Sequence, residues 1–221
     1  MKNFFIIILV SFMALGIHAQ VPLKSDGLDP AYVASIKSRS QKIVDKLGIA
    51  DKAKAENVLN IVCNRYFLLN AIHGKRAAAV QAAKDSLTGK AKAEAIAKAD
   101  NERDAQLYKH HFEFAADLSL YLSDSQIEAV KDGMTYGVVK VTYDATLEMI
   151  PSLKEDEKVQ ILAWLKEARE FAIDAESSRK KHEWFGKYKG RINNYLSKRG
   201  YDLVKERKAW YKRIEAKKQK K

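Results

Sequence analysis

"DKAKAENVLNIVCNRYFLLNAIHGKRAAAVQAAKDSLTGKAKAEAIAKADNERDAQLYKHHFEFAADLSLYL", residues 51–122, holds no proline, and apart from the "SLTG" at 86–89 its one glycine is Gly74. Unbroken runs of this length read as helix, and the "SLTG" break supplies a turn. The stretch therefore predicts two long helices, Asp51 to about Ser86 and Lys90 to Leu122, folded back as an antiparallel hairpin about 50 Å long at 1.5 Å of rise per residue. Helical spacing predicts a seam at its base, with Val58, Leu59, Val62, Tyr66, Leu69 and Ile72 facing Leu107, Tyr108, Phe112, Ala115, Leu118 and Tyr121. Toward the tip, alanine replaces large apolar residues over 76–100. Alanine permits close helix approach and favours helix formation; a protruding arm that reaches a partner is the competing reading.

Outward from the hairpin the chain continues helical. Asp29 as N-cap and Pro30 at the first helical position open a helix that carries Val33, Ile36, Ser40, Ile43, Val44 and Leu47 on one face before Gly48 ends it. Ser123 and Gln126 have capping-box spacing, and Ile127, Val130 and Met134 continue one face. Gly133 and Gly137 flank "MTY", marking a kink or a helix end. "VVKVTY" alternates like a short strand, but a helix running on to Pro151 fits the apolar pattern better. Acidic residues at 155–157 suit the positive end of the next helix, with a predicted stripe of Val159, Leu162, Leu165, Ala168, Phe171, Ala172 and Ala175. The fold class expected is an all-α helical bundle with a long antiparallel hairpin.

The first nineteen residues, "MKNFFIIILVSFMALGIHA", place one lysine before an apolar run too short to span a bilayer, the pattern of a secretory signal peptide. Residues 1–19 are thus expected to be removed, leaving 20–221 as one exported domain, periplasmic or extracellular, with no transmembrane segment. Its single cysteine, Cys63, can form no internal disulfide and sits in an apolar run, so a small buried hydrophobe is its expected role.

Charge is unevenly distributed. Residues 20–177 hold 22 Lys and Arg against 24 Asp and Glu, whereas residues 178–221 hold 17 against 4. A positive field this concentrated attracts polyanions. The export signal excludes nucleic acid as the natural partner and leaves acidic polysaccharide, anionic lipid or no specific partner.

That basic region contains "HEWFGKYKGRINNYLSKRG", residues 182–200. As a helix it places Phe185, Tyr188, Ile192, Tyr195 and Leu196 on a core face, and Gly186, Gly190, Asn193 and Ser197 on another. The small face is either a close crossing with another helix or the floor of a shallow groove. Trp184, Lys187, Arg191, Asn193 and Asn194, with Gly186 and Gly190 beneath, would rim such a groove. An aromatic plane covers the apolar side of a sugar ring, while amides and a guanidinium hydrogen-bond its hydroxyls or carboxylate.

"SQIEAVKDGMTYGVVKVTYDATLEMIPSL" (125–153), "AWLKEAREFAIDAESSRKKHEWFGKYKGRINNYLSKRGYDL" (163–203) and the glutamine after the signal resemble a family of exported Bacteroidota proteins of unknown function that carries a sugar-binding description. The resemblance implies a sugar ligand and a role beside glycan-degrading enzymes, but no catalytic residues. Combined with the basic end, it gives the expectation of a non-catalytic protein for acidic polysaccharide, with no cofactor.

Two other classes remain. One is a structural or protein-interaction role in the cell envelope. The other is a glycan-active enzyme such as a polysaccharide lyase, for which His182, Lys187, Tyr188 and Arg191 are the right residue types. Hydrolysis needs two placed carboxylates, and pairs such as Glu167 and Glu170 have the spacing of a solvated helix face. The adjacent His110 and His111 point about 100° apart on a helix, so a metal is not expected. Phosphate-loop, dinucleotide, nucleophile-elbow and zinc-protease patterns are absent from the sequence.

Overall fold

Asp29 Oδ1 accepts a hydrogen bond from Tyr32 N at 2.8 Å, which caps α1 (Pro30–Val44) as its sequence predicts. The computed structural model describes residues 20–219, so the signal segment expected at 1–19 lies outside the described residues. After α1 come α2 (Lys52–Ser86), α3 (Gly89–Ser119), α4 (Asp124–Met134), α5 (Val138–Met149), α6 (Glu155–Ile173), α7 (Ser178–Lys198) and α8 (Leu203–Lys218). No strand occurs among the described residues, and "VVKVTY" is the start of α5. The all-α bundle with its α2–α3 hairpin is the observed architecture.

Two large cores and a smaller cluster divide the work. The first gathers Val44 of α1, Val58 and Val62 of α2, Phe114 and Leu118 of α3, and Val130 and Met134 of α4. The second gathers Val139 of α5, Ile161, Leu165 and Ala168 of α6, and Phe185, Ile192 and Leu196 of α7. α6 joins them, because Ile173 at its C-terminal end lies in the first core. The buried guanidinium of Arg169 ties the same helix to α4 through Asp132 at 2.8 Å and Glu128 at 2.6 Å. At the α1–α4 crossing the backbones come so close that a Cβ on Gly133 would lie 2.9 Å from Ile43 Cγ2. One residue later α4 ends, and beyond its C-cap Thr135 both Tyr136 and Gly137 take left-handed backbone angles.

Two expected faces hold in part: Leu118 and Tyr121 of the first and Leu165, Ala168 and Ala172 of the second are buried, but the stripes are turned at their large rings. At the base of α3 the buried residues are Phe114 and Leu118, while Tyr108 and Phe112 are 74% and 65% exposed. Phe114 lies about 200° round the helix from Phe112, so burying one presents the other to solvent. On α6 the buried row runs Ile161, Leu165, Ala168 and Ala172, which leaves Val159 and Phe171 outside. Both rotations bring large rings to the surface on the same side of the bundle.

α2 is enclosed on several sides at once, which a search for one apolar face does not anticipate. Three of its asparagines hold the extended segment that precedes α1. Asn57 Oδ1 accepts from Val21 N at 2.8 Å, Asn60 Nδ2 donates to Val21 O at 2.9 Å, and Asn64 holds Lys24 N and Pro22 O at 2.8 and 2.9 Å. Cys63 is buried beside Ile36 and Phe67, and burial pushes its thiol pKa up. At the hairpin tip Val80, Ala83 and Ala99 are buried, as close helix approach predicts.

Candidate functional site

α7 begins at its N-cap Ser177, whose hydroxyl accepts from Lys180 N, and its core face is the predicted one: Phe185, Tyr188, Ile192 and Leu196 are buried. The other two faces differ sharply. Gly186, Gly190, Asn193, Asn194 and Ser197 are exposed, and a Cβ added to either glycine would meet nothing within 4 Å. Among the described residues no helix crosses there, and the glycines lie on the open back of α7.

Trp184 and Lys187 occupy the opposite edge and line a cleft of about 640 Å³ between the α2–α3 hairpin, the end of α6 and the first turns of α7. On the α3 side Tyr108 and Phe112 meet edge to face at 6.0 Å. On the other side Phe171, 47% exposed, stacks on Trp184 with ring centroids 4.6 Å apart and planes 16° from parallel. The Lys187 ammonium lies 4.1 Å over the Trp184 ring, fixing its outer face. Charged groups complete the rim. Arg103 bonds Asp104 and Asp100 at 2.8 and 3.1 Å, and Lys180 holds Glu183 at 2.8 Å, which lowers the carboxyl pKa of Glu183.

Beneath the rings lies a polar floor that the sequence did not reveal. Asp174 caps the C-terminal end of α6. One of its oxygens pairs with the buried guanidinium of Arg65, and the other accepts from His111 Nδ1 at 2.7 Å. Arg65 also donates to the His110 carbonyl at 2.8 Å, and His73 Nε2 bonds the Asp174 carbonyl at 2.7 Å. Helices 2, 3 and 6 are thus locked together by one carboxylate. Because a carboxylate accepts, His111 carries a proton on Nδ1, and its Nε2 lies 3.9 Å from Glu170 on the cleft wall. Lys181, just behind this floor, donates to the Ile173 carbonyl at 3.2 Å. Burial pushes its pKa down to about 8 against the opposing pull of Asp174.

Of the residues singled out in the sequence, Trp184 and Lys187 line the cleft. Arg191 sits beyond it, with its guanidinium 4.6 Å over the Trp164 ring and 3.3 Å from Glu167. Asn193, Asn194, Gly186 and Gly190 lie on the bare back of α7. The residues proposed for a lyase also scatter. His182 stacks on Tyr136 at 5.5 Å, Tyr188 is in the core, and neither lines the cleft. Sequence reasoning missed Tyr108, Phe112, Phe171, His111 and Asp174 as a set, since residues from α3 and α6 meet only through tertiary packing. The available signal was rings on more than one side of α3 and α6, which a single helical stripe cannot bury.

A family described as "Protein of unknown function (DUF3826)" matches residues 33–216, and the chain belongs to it. No curated protein matches the chain. Among the described residues no helix is long and apolar enough to cross a membrane.

Proposed function

We propose that this member of the family is an exported, non-catalytic protein that binds a saccharide in the cleft between α3 and α7, beside enzymes that degrade glycans. The observation that carries the reading is a set of rings on two sides of one cleft, Tyr108 and Phe112 exposed on α3 and, opposite them, the exposed Phe171 stacked on the half-buried Trp184. Exposed rings gathered in one place gain little from folding and are characteristic of contact surfaces. A pyranose offers an apolar C–H face to such rings and hydroxyls at its edge. The rim supplies acceptors in Asp104 and Glu176 and donors in Arg103 and Lys187 for those hydroxyls.

The charge of the cleft refines the ligand class. Five carboxylates line it against three Lys and Arg, and no lining residue lies beyond Lys187. The excess charge that suggested an acidic polysaccharide therefore sits elsewhere, and the cleft suits a neutral saccharide. The test is a glycan array of neutral and uronic saccharides at low and high salt. Retention of a neutral saccharide that survives high salt is expected; binding confined to uronates and lost at high salt would overturn the cleft reading.

One observation favours a second reading, a glycan-active enzyme. Asp174 holds His111 through Nδ1 and so orients its Nε2 on the cleft wall, as a general base is oriented. Release of reducing ends or unsaturated product from an array hit, abolished by His111→Gln, would establish that reading; intact ligand after prolonged incubation would exclude it for that ligand.

A further inference from the structure

We propose that the exposed face of α8 docks the protein onto an anionic lipid surface. α8 carries seven basic residues against two acidic ones, and none of its residues is buried. Its inner side is nevertheless fixed. Trp210 Nε1 donates to Glu148 at 3.3 Å, and Arg213 donates to the carbonyls of Glu148 and Met149 at 2.7 and 3.0 Å. The orientation of the outer side follows.

At 100° per residue Val204, Lys208, Tyr211 and Glu215 fall within about 60° of arc on that outer side. Val204 and Tyr211 are 59% and 55% exposed. Lys205 and Lys212 flank them on one edge and Arg207 and Lys218 on the other, all exposed. The single acid among them, Glu215, is held by Lys218 at 3.0 Å. A convex strip with an aliphatic and an aromatic side chain at its centre and cations round them matches a bilayer interface. There the apolar pair enters the headgroup boundary and the lysines meet lipid phosphates. A hydroxylated polymer gives Val204 nothing to bury against and would need a groove, which this strip lacks. The cleft lies toward the other end of α7, since the eleven residues from Lys187 to Lys198 span about 16 Å. Docking by α8 thus leaves the cleft free.

The test is co-sedimentation of the full chain with vesicles of phosphatidylcholine containing phosphatidylglycerol, with pure phosphatidylcholine vesicles and with polygalacturonate. Binding to the anionic vesicles alone is expected, weakened about fivefold for each lysine removed in Lys208→Gln and Lys212→Gln. Tyr211→Ser should weaken it further with every charge retained. Because these side chains are exposed, unchanged far-ultraviolet circular dichroism is expected in each variant. Retention on polygalacturonate without vesicle binding, equal binding to both vesicle types, or no binding at all would each overturn the proposal. Trp184→Ala should leave vesicle binding unchanged, which separates this outcome from that of the cleft.

Discussion

The two flanks of α7 share a helix and a sequence block yet have opposite surroundings. On one flank Trp184, stacked on Phe171 of α6, and Lys187 face the rings of α3 across a cleft with a buried, ion-paired floor. On the other, Gly186 and Gly190 face open space. Small residues in a helix permit close approach, but they create a site only where something approaches. Gly133 is the instructive control: its missing side chain is required, because Ile43 occupies the space a Cβ would take. The difference predicts where substitutions will hurt.

The largest effect belongs beneath the cleft. Asp174→Asn leaves the Arg65 guanidinium buried without its carboxylate, and urea unfolding should show a loss of about 3–5 kcal/mol. Glu167→Gln, which removes the charge paired with Arg191 and leaves an amide oxygen for the Tyr188 hydroxyl, should change stability by less than about 1 kcal/mol. Comparable losses in both would mean that the floor is no more integral than the surface.

Lys181 gives the cleft side a pH signature. Its proton leaves at about 8 in the folded chain and near the ordinary 10.5 when unfolded. Between those values the unfolded chain holds more protons, so stability rises with pH. From pH 7.5 to 9.5 the gain should be about 1–2 kcal/mol in urea titrations, and Lys181→Met should abolish it. Above pH 10 the sign reverses, because Tyr66 and Tyr201 are pushed up to about 12, by burial and by the Glu157 hydrogen bond respectively.

The glycines sharpen the comparison most finely. Gly133→Ala forces a methyl against Ile43 and should cost about 1–3 kcal/mol. Gly186→Ala and Gly190→Ala should instead raise stability by about 0.5–1 kcal/mol each, since both lie in an open helix interior. Thermal melts give both signs, and a loss at Gly186 or Gly190 would reveal a contact on the bare flank.

These contrasts also mark what was legible in the sequence. Helices were readable because their caps are local: Asp29, Ser123 with Gln126 and the "SLTG" turn act within a few residues. The core face of α7 was readable for the same reason, through the spacing of Phe185, Tyr188 and Ile192. The turned faces of α3 and α6 were not, because a helix with rings on two sides offers two stripes and only its neighbours select one. The site inherits that limit. Trp184 and Lys187 were recognisable as an aromatic and a cation on one edge, whereas Asp174, Arg65 and His111 come from three helices and meet only in the folded chain.

The decisive measurement pits the two flanks of α7 against each other. Trp184→Ala and Gly190→Arg are compared with the wild-type chain for affinity toward the strongest neutral saccharide found on the array. The account predicts at least a tenfold loss, about 1.4 kcal/mol, for Trp184→Ala and none for Gly190→Arg. Loss on placing arginine at 190, with affinity unchanged by Trp184→Ala, would move binding to the bare flank and contradict the cleft.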